Sequence, residues 1–383
     1  MMNGVVMLVN EFPPIPTGGA ERQAERLALY LKDKGWPVYV ITRRVHGLPS
    51  HEQYQGLTVI RPATFGPGKF KTVTFILGAV FALWNLRSKY SLLHAHLAYG
   101  SAFAALLAAR LLGKRVIVKF GNSGEYGDVE VSRRTLRGRL RLAALRKWVD
   151  VVIALDDSIF NEILSIGIDR DRIRRIPNGI ESRAFFPAQP KQEAKQNLNL
   201  AGKVAMIFAG RLSPQKSLPT LLQALEKSLP ACPNLHLLLV GDGPDRAALE
   251  EKARHLGIDR QVTFLGSQPD VRPYLNAADI FVLPSRSEGI SNSLLEAMSA
   301  GLACAATLVG GNVEILDGGR CGVLLPVGDV SAWSGALVEL GNDPQKRESL
   351  GLAAQRHVLG HFDFSVVGSM YEELYRGLLS PRQ

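Results

Sequence analysis

Strand-like and helix-like runs alternate along nearly the whole chain, and the alternation begins twice. The runs VVMLV, VYVIT, LLHAH and RVIVKF are separated by helical stretches, among them one around Glu21 to Lys34 and one over Ala102 to Leu112. That order is the signature of βαβ units and a parallel sheet. After VDVVIAL comes RIRRIPNGI, where Pro177, Asn178 and Gly179 punctuate the chain. The pattern then restarts with VAMIFAG, a helix over Leu218 to Leu229, LHLLLVG, a helix over Asp245 to Leu256, VTFLG and DIFVLP. The spacing predicts an α/β protein of two Rossmann-like, doubly wound domains, residues 1–183 and 184–363. The amphipathic stretch Phe364 to Leu379 has no strand after it, and the C-terminal segment of about 364–383 is free to pack back on the first domain. A length of 383 residues is more than one core normally serves. Two such domains facing each other would bring their strand C-termini to one cleft, where open α/β sheets bind ligands.

Composition narrows the partners. Lys and Arg number 45 against 35 Asp and Glu, a net charge of +10 that favours an anionic partner: a nucleotide diphosphate, a nucleic acid or an acidic membrane surface. Cys232, Cys304 and Cys321 fit no disulfide or metal spacing and read as small buried hydrophobes. The opening MMNGVVMLVN lacks a basic n-region and reads as a buried first strand, so export is not expected. The apolar run Val73 to Leu86 is shorter than the ~20 residues that span a bilayer and is expected to be a helix packed in its domain. Seven basic residues and no acid lie between Arg133 and Lys147. On one helix, Arg133, Arg137 and Arg141 would form a stripe, with Leu142, Leu145 and Val149 on an adjoining face. Such a stripe is either a solvated helix face or a contact for lipid headgroups or a phosphorylated acceptor.

Two segments carry candidate chemistry. In FAGRLSPQKSLPTLL a strand ends at Gly210, Arg211 leaves it, and Lys216 follows just ahead of a helix. Two cations near a helix N-terminus form a diphosphate clamp that needs no metal, although either alone is equally a solvent-facing loop residue. In PSRSEGISNSLLEAMSAG, Glu288 lies in a loop and Glu296 one turn inside the helix that Ser291 or Asn292 caps. Both acids can face a ligand held at the N–H groups of residues 290–293. Ionised carboxylates only accept hydrogen bonds, which suits them to sugar and ribose hydroxyls.

These segments, with GGAER, IPNGI, LLLVGDGP and LVGGNVEIL in the same order, make the chain resemble glycosyltransferase family 4, the retaining group 1 enzymes of glycosyltransferase-B fold. Glu288 and Glu296 match that family's E-x7-E element. The resemblance implies that Arg211 and Lys216 bind the donor diphosphate, Glu296 the ribose and Glu288 the donor sugar. It also places Gly18, Gly19, Gly210, Gly241, Gly243, Gly289, Ile290, Ser291, Asn292 and Leu294 on the donor side. The first domain would take the acceptor, with Arg22, His96, Asn122 and Glu125 as candidate contacts. Where many members carry a histidine after the strand reading VIVKF here, this chain has Gly121, Asn122 and Ser123. Asn122 is the first candidate for the polar group beside the reacting carbon and Glu125 the second.

The implied reaction is transfer of a hexose or N-acetylhexosamine from a nucleotide diphosphate sugar, UDP-linked by the family's weight. The acceptor would be a glycan or lipid-linked glycan in bacterial surface-polysaccharide synthesis. No cofactor, metal or nucleic acid is expected, and the setting would be the cytoplasm or the inner membrane face. A dinucleotide-dependent oxidoreductase is disfavoured because GDGPDR puts Arg246 where the phosphate-binding fingerprint needs its third glycine. A nucleotide-sugar epimerase would need no acceptor, and a noncatalytic assembly partner would not need all of Arg211, Lys216, Glu288 and Glu296.

Overall fold

Residues Val5 to Leu8 are apolar and fully buried, as a parallel strand covered on both faces requires. The structure, a computed structural model, describes residues 4–15, 18–67 and 69–380. It divides into two units, one ending at Gly179 and resuming at Phe364, the other running from Ile180 to Asp363. Residues 180–183, assigned to the first domain from sequence, fall in the second because the Ile180 N–H donates to the Phe362 carbonyl (2.8 Å) and Ile180 bridges to Asp363.

The first unit holds an eight-stranded sheet of β1 (Gly4–Leu8), β2 (Val38–Ile41), β3 (His51–Tyr54), β4 (Leu57–Ile60), β5 (Tyr90–His96), β6 (Arg115–Lys119), β7 (Val151–Ala154) and β8 (Ile173–Arg175). Its order is β3-β4-β2-β1-β5-β6-β7-β8, with only the β3–β4 pair antiparallel. That hairpin escaped the sequence reading because His51–Tyr54 is a polar, largely exposed strand. Its turn is legible in hindsight: Gln55 and Gly56 both take positive φ, 49° and 81°, the demand of a two-residue hairpin loop. Helix Phe364–Leu379 packs on this unit, burying Phe364, Val367, Tyr371 and Tyr375 against Leu27, Trp36 and Ile117. Gly368 lets it approach, since a Cβ there would stand 2.8 Å from the Tyr30 ring.

Two expectations for this unit need correction. The apolar run forms helix Lys69–Asn85, which buries Phe75, Ala79 and Leu83 but leaves Phe70, Leu77, Phe81 and Trp84 exposed. It is only half packed. Among the described residues no helix is long and apolar enough to cross a membrane. The basic run is broken between helices Asp128–Arg133 and Leu136–Trp148, because Thr135 caps the second by accepting from the Gly138 N–H (3.1 Å). Arg133, Arg137 and Arg141 therefore do not share a helix. Arg141 turns inward to Ser132 Oγ (2.6 Å), while Leu142, Leu145 and Val149 are buried as expected. Gly138 is required where the helices meet: a Cβ would lie 2.0 Å from the Ser132 carbonyl oxygen.

The second unit holds β9 (Val204–Ala209), β10 (Leu235–Val240), β11 (Val262–Gly266), β12 (Ile280–Leu283), β13 (Ala303–Thr307) and β14 (Val323–Leu325). All are parallel, in the order β11-β10-β9-β12-β13-β14. Progress along the sheet reverses between β9 and β12, which opens a crevice at their C-terminal ends. Cys232, Cys304 and Cys321 are free and buried, the small-hydrophobe role expected of them.

Candidate functional site

The loops leaving β9 and β12 meet at that reversal. Lys216 ends a short 3-10 turn, Pro214–Lys216, and its Nζ donates to Glu288 Oε1 at 2.5 Å. Ser285 Oγ donates to the same oxygen at 2.6 Å. The backbones are zipped together as well: the Arg286 N–H donates to the Gln215 carbonyl (2.8 Å), and Gln215 Nε2 to the Ser287 carbonyl (2.9 Å). Thr307 Oγ1, at the end of β13, donates to the Ser285 carbonyl (2.6 Å), and Asn312 Nδ2 donates to the Thr307 carbonyl (3.1 Å). Side-chain exposure is 18% for Lys216 and 9% for Glu288, so the pair is a short, charge-assisted bond largely out of water. Ser285, Gln215 and Thr307 were not singled out in the sequence. Their only signal was a polar loop after an apolar strand.

The neighbouring glycines serve the backbone. A Cβ on Gly241 would stand 1.9 Å from the Gly210 carbonyl oxygen, and one on Gly243 2.2 Å from that of Leu212. The β9 and β10 loops thus run against each other, the Leu212 N–H donating to the Asp242 carbonyl (2.9 Å). Arg211 projects from this junction, exposed, with no hydrogen bond or ion pair to any described residue. On the β12 side, Ser291 caps helix Asn292–Ser299, its Oγ accepting from the Leu294 N–H (3.4 Å). Leu294 and Ile290 are buried, so a ligand there would meet their backbone rather than their side chains. Glu296 is also buried, 5% exposed. Gly289 packs on the start of the next helix, where a Cβ on Gly311 would lie 2.6 Å from its carbonyl oxygen.

In the first unit β1 and β5 occupy the equivalent reversal. Gly18 and Gly19 open helix Gly19–Asp33, on which Arg22 is exposed. His96 ends β5 but is not available at the surface: it is 3% exposed, stacked on His94 at 4.2 Å, with neither ring nitrogen hydrogen-bonded among the described residues. His94 Nδ1 shares a hydrogen bond with the Tyr375 hydroxyl (2.6 Å). His94 in turn lies against Tyr371 and Tyr375 of helix Phe364–Leu379, a segment far away in sequence, so the candidate acceptor contact at His96 is closed off by neighbours no local pattern contains. After β6, Asn122 Oδ1 accepts from the Ser123 N–H (3.0 Å), and Glu125 is exposed. Buried Asp128 organises this loop by accepting from the Gly121 N–H at 2.6 Å, a role its position in the sequence did not betray.

Lys119, at the end of β6, was also overlooked. It is buried, donates to Asn178 Oδ1 (2.9 Å) and lies over the Tyr371 ring. Burial pushes its ammonium down to about 7. Burial likewise holds His94 and His96 well below the usual histidine range, with Lys119 adding to the effect. The signs follow from linkage. From about pH 7 to about 10.5 the unfolded chain binds a proton at Lys119 that the folded chain lacks, so stability rises with pH across that window. Below about 6.5 the unfolded histidines bind protons that the folded ones refuse, so stability falls on acidification. Urea midpoints should rise from pH 7 to 9.5 in the wild type relative to Lys119→Met. Equal slopes in the two proteins would refute the buried, neutral lysine.

One cluster of metal-type donors occurs among the described residues: Asp317, Cys321 and His357, within 4.8 Å of one another. Asp317 is engaged there by Arg320 through two bonds of 2.5 and 2.7 Å.

Cations and a helix N-terminus brought together at a sheet reversal are what a nucleotide diphosphate requires. The family model described as Glycosyl transferases group 1 matches residues 203–343, and that described as Glycosyltransferase Family 4 matches residues 17–183. The chain belongs to the group 1, family 4 glycosyltransferases. The enzyme is 27% identical over 366 residues to N-acetyl-alpha-D-glucosaminyl L-malate synthase of Bacillus anthracis, covering 94% of each chain. It is 27% identical over 301 residues to the UDP-Gal:alpha-D-GlcNAc-diphosphoundecaprenol alpha-1,3-galactosyltransferase of Escherichia coli, covering 73% of this chain and 75% of that one. Its fold is similar to that of Anabaena HepE in complex with UDP, with a TM-score of 0.80 at 19% identity, covering 98% of this chain and 100% of the other. The glycosyltransferase acts on nucleotide sugars in glycan synthesis. The expected glycosyltransferase-B architecture, two Rossmann-like units, is the one found.

Proposed function

We propose that this glycosyltransferase moves a hexose or N-acetylhexosamine from a UDP-linked donor to a glycan or lipid-linked acceptor of bacterial surface polysaccharide, with retention of anomeric configuration and without a bound metal. The observation that carries the reading is Lys216 held by Glu288 and Ser285 beside the capped helix Asn292–Ser299, with Arg211 exposed nearby on the same strand-end loop. Breaking the sugar–phosphate bond puts negative charge on the departing diphosphate, and fixed cations and N–H dipoles are the groups that stabilise it. Arg211 and Lys216 take that role, Glu296 receives the ribose, and Glu288 both positions Lys216 and faces the sugar. The acceptor hydroxyl attacks from the face the diphosphate leaves, and its proton passes to the departing phosphate oxygen. The first unit takes the acceptor, with Arg22, Asn122 and Glu125 as its polar contacts and the Gly18–Gly19 N–H groups as phosphate donors. His96 is buried and is not among these contacts. UDP as the carrier is supported by the UDP complex of the Anabaena protein and by the UDP-Gal donor in the Escherichia coli relative's name. That relative's lipid-diphosphate acceptor supports action at the inner membrane face, with the basic residues of Arg133–Lys147 as a headgroup contact.

Thermal unfolding tests the donor assignment. UDP at a hundred times its Kd adds about 2.7 kcal/mol, which for a unit of this size raises Tm by about 5–10 °C. The rise should survive EDTA and exceed that from GDP or ADP. A rise that needs added magnesium would overturn metal independence, and a larger one with GDP would overturn the uridine assignment. The anomeric configuration of the product, read by NMR, decides retention.

A further inference from the structure

Helix Lys69–Asn85 is apolar on two opposite sides. Phe75, Ala79 and Leu83 are buried, on a helix that packs beside helix Gly100–Leu112, while Phe70, Val73, Leu77, Phe81 and Trp84 recur at helical spacing on the far side. Exposures of 72% for Phe70, 62% for Leu77 and 66% for Phe81 make this a continuous stripe rather than scattered contacts. A helix apolar all round is normally buried in protein or lipid, and no described protein segment covers this one. Phe65, Leu77 and Phe81 also wall a groove of about 1060 Å³ shared with Ile60 and Pro62, so apolar surface continues into a concavity.

Charge identifies the occupant. Between Glu52 and Glu125 the chain has no acid and nine Lys and Arg, of which Arg61 and Lys119 are buried, leaving seven to favour an anionic surface. Arg87 is fixed beside the stripe, its guanidinium 5.1 Å from the Trp84 ring centre and bonded to the Trp84 carbonyl (3.0 Å). This gives an apolar body with a cationic tip, the chemistry of a membrane–water interface. Helix Gly100–Leu112 packs beside this one and helix Leu136–Trp148 beside that in turn, and they add exposed Leu111, Leu136 and Leu140 among Arg110, Arg137 and Arg139. At 17 residues the helix cannot span a bilayer, but it can lie in one.

We infer that the outward face of helix Lys69–Asn85 inserts into an anionic lipid bilayer and is the enzyme's principal membrane contact. The inference rests on the membrane-face reading above and moves the contact from the Arg133–Lys147 run to this helix. The face dips about 5–10 Å into the headgroup boundary, with Arg87, Lys71 and Lys89 at phosphate level.

The full chain is mixed with vesicles of phosphatidylcholine alone or with phosphatidylglycerol, and followed by sedimentation and tryptophan emission. Of the four tryptophans Trp36 and Trp333 are buried and Trp148 is half-buried, so the part of a blue shift on vesicle binding that is lost in Trp84→Phe reports Trp84. The wild type should bind the anionic vesicles with that shift. Phe81→Asp/Trp84→Asp should bind at least about tenfold more weakly and keep the wild-type melting temperature, because both side chains lie outside the core. Its UDP-induced thermal shift, measured without vesicles, should be unchanged, which separates this surface from the donor site. Binding with Trp84 emission unmoved and the double variant unaffected would sink the inference while leaving a headgroup contact through Arg137 and Arg139. Failure of the wild type to bind would sink both membrane statements and leave the donor assignment standing. A dimer in analytical ultracentrifugation that Phe81→Asp dissolves would overturn the inference in favour of a second copy of this chain.

Discussion

Lys216→Ala lowers turnover of the nucleotide sugar by about two to three powers of ten, the loss seen when one preorganised charge-stabilising donor is removed. The Lys216 ammonium is held at 2.5 Å by Glu288, which Ser285 holds in turn, so it costs little reorganisation when the diphosphate departs. The substitution has a second consequence. It strands the Glu288 carboxylate, nine-tenths buried, without its cation, and breaking a mostly buried pair from one side costs up to about 3–5 kcal/mol. Activity and stability must therefore be read separately. Lys216→Ala/Glu288→Gln removes both charges and should recover most of the melting temperature without recovering turnover. If the double variant regained turnover with stability, Lys216 would be a structural residue and the clamp would be wrong.

Gly241→Ala should destabilise the second unit by about 2–5 kcal/mol, combining left-handed strain with overpacking. Gly241 sits at φ 131°, and its added Cβ would stand 1.9 Å from the Gly210 carbonyl oxygen, a backbone atom that cannot swing away. The β9 loop must retreat, taking Arg211 with it, so the UDP-induced thermal shift should shrink as well. Gly335→Ala is the matched control. It lies on helix Val330–Asn342 with nothing within 4 Å of an added Cβ, and should be neutral or slightly stabilising. A Gly241→Ala urea midpoint equal to that of Gly335→Ala would show that the two strand-end loops are not locked as described.

Where the chain obeyed one periodicity at a time, its elements were legible. Helix Phe364–Leu379 begins and ends where the pattern placed it, and the strands of the second unit through β12 match the apolar runs. The hairpin β3–β4 was missed because its outer strand is polar, and β13 and β14 because short runs of small residues, ACAAT and VLL, carry little periodic signal. The donor loops were recognisable as polar insertions after apolar strands. The salt bridge joining them was not, since Lys216 and Glu288 lie in loops separated by two intervening strands. Their meeting depends on β12 adding beside β9 instead of β11, an outcome of sheet order.

Local sequence thus determined what each segment is: strand, helix, cap or glycine-rich turn, because propensity and hydrophobic period act over a few residues. It also determined the ordered motifs that mark the family. Only the tertiary structure decided which segments meet. It set His94 against Tyr371 and Tyr375 with His96 buried behind it, turned Arg141 inward to Ser132, joined Lys216 to Glu288, and left one face of helix Lys69–Asn85 bare. Burial, pairing and exposure are properties of neighbours distant in sequence, and no window along the chain contains them.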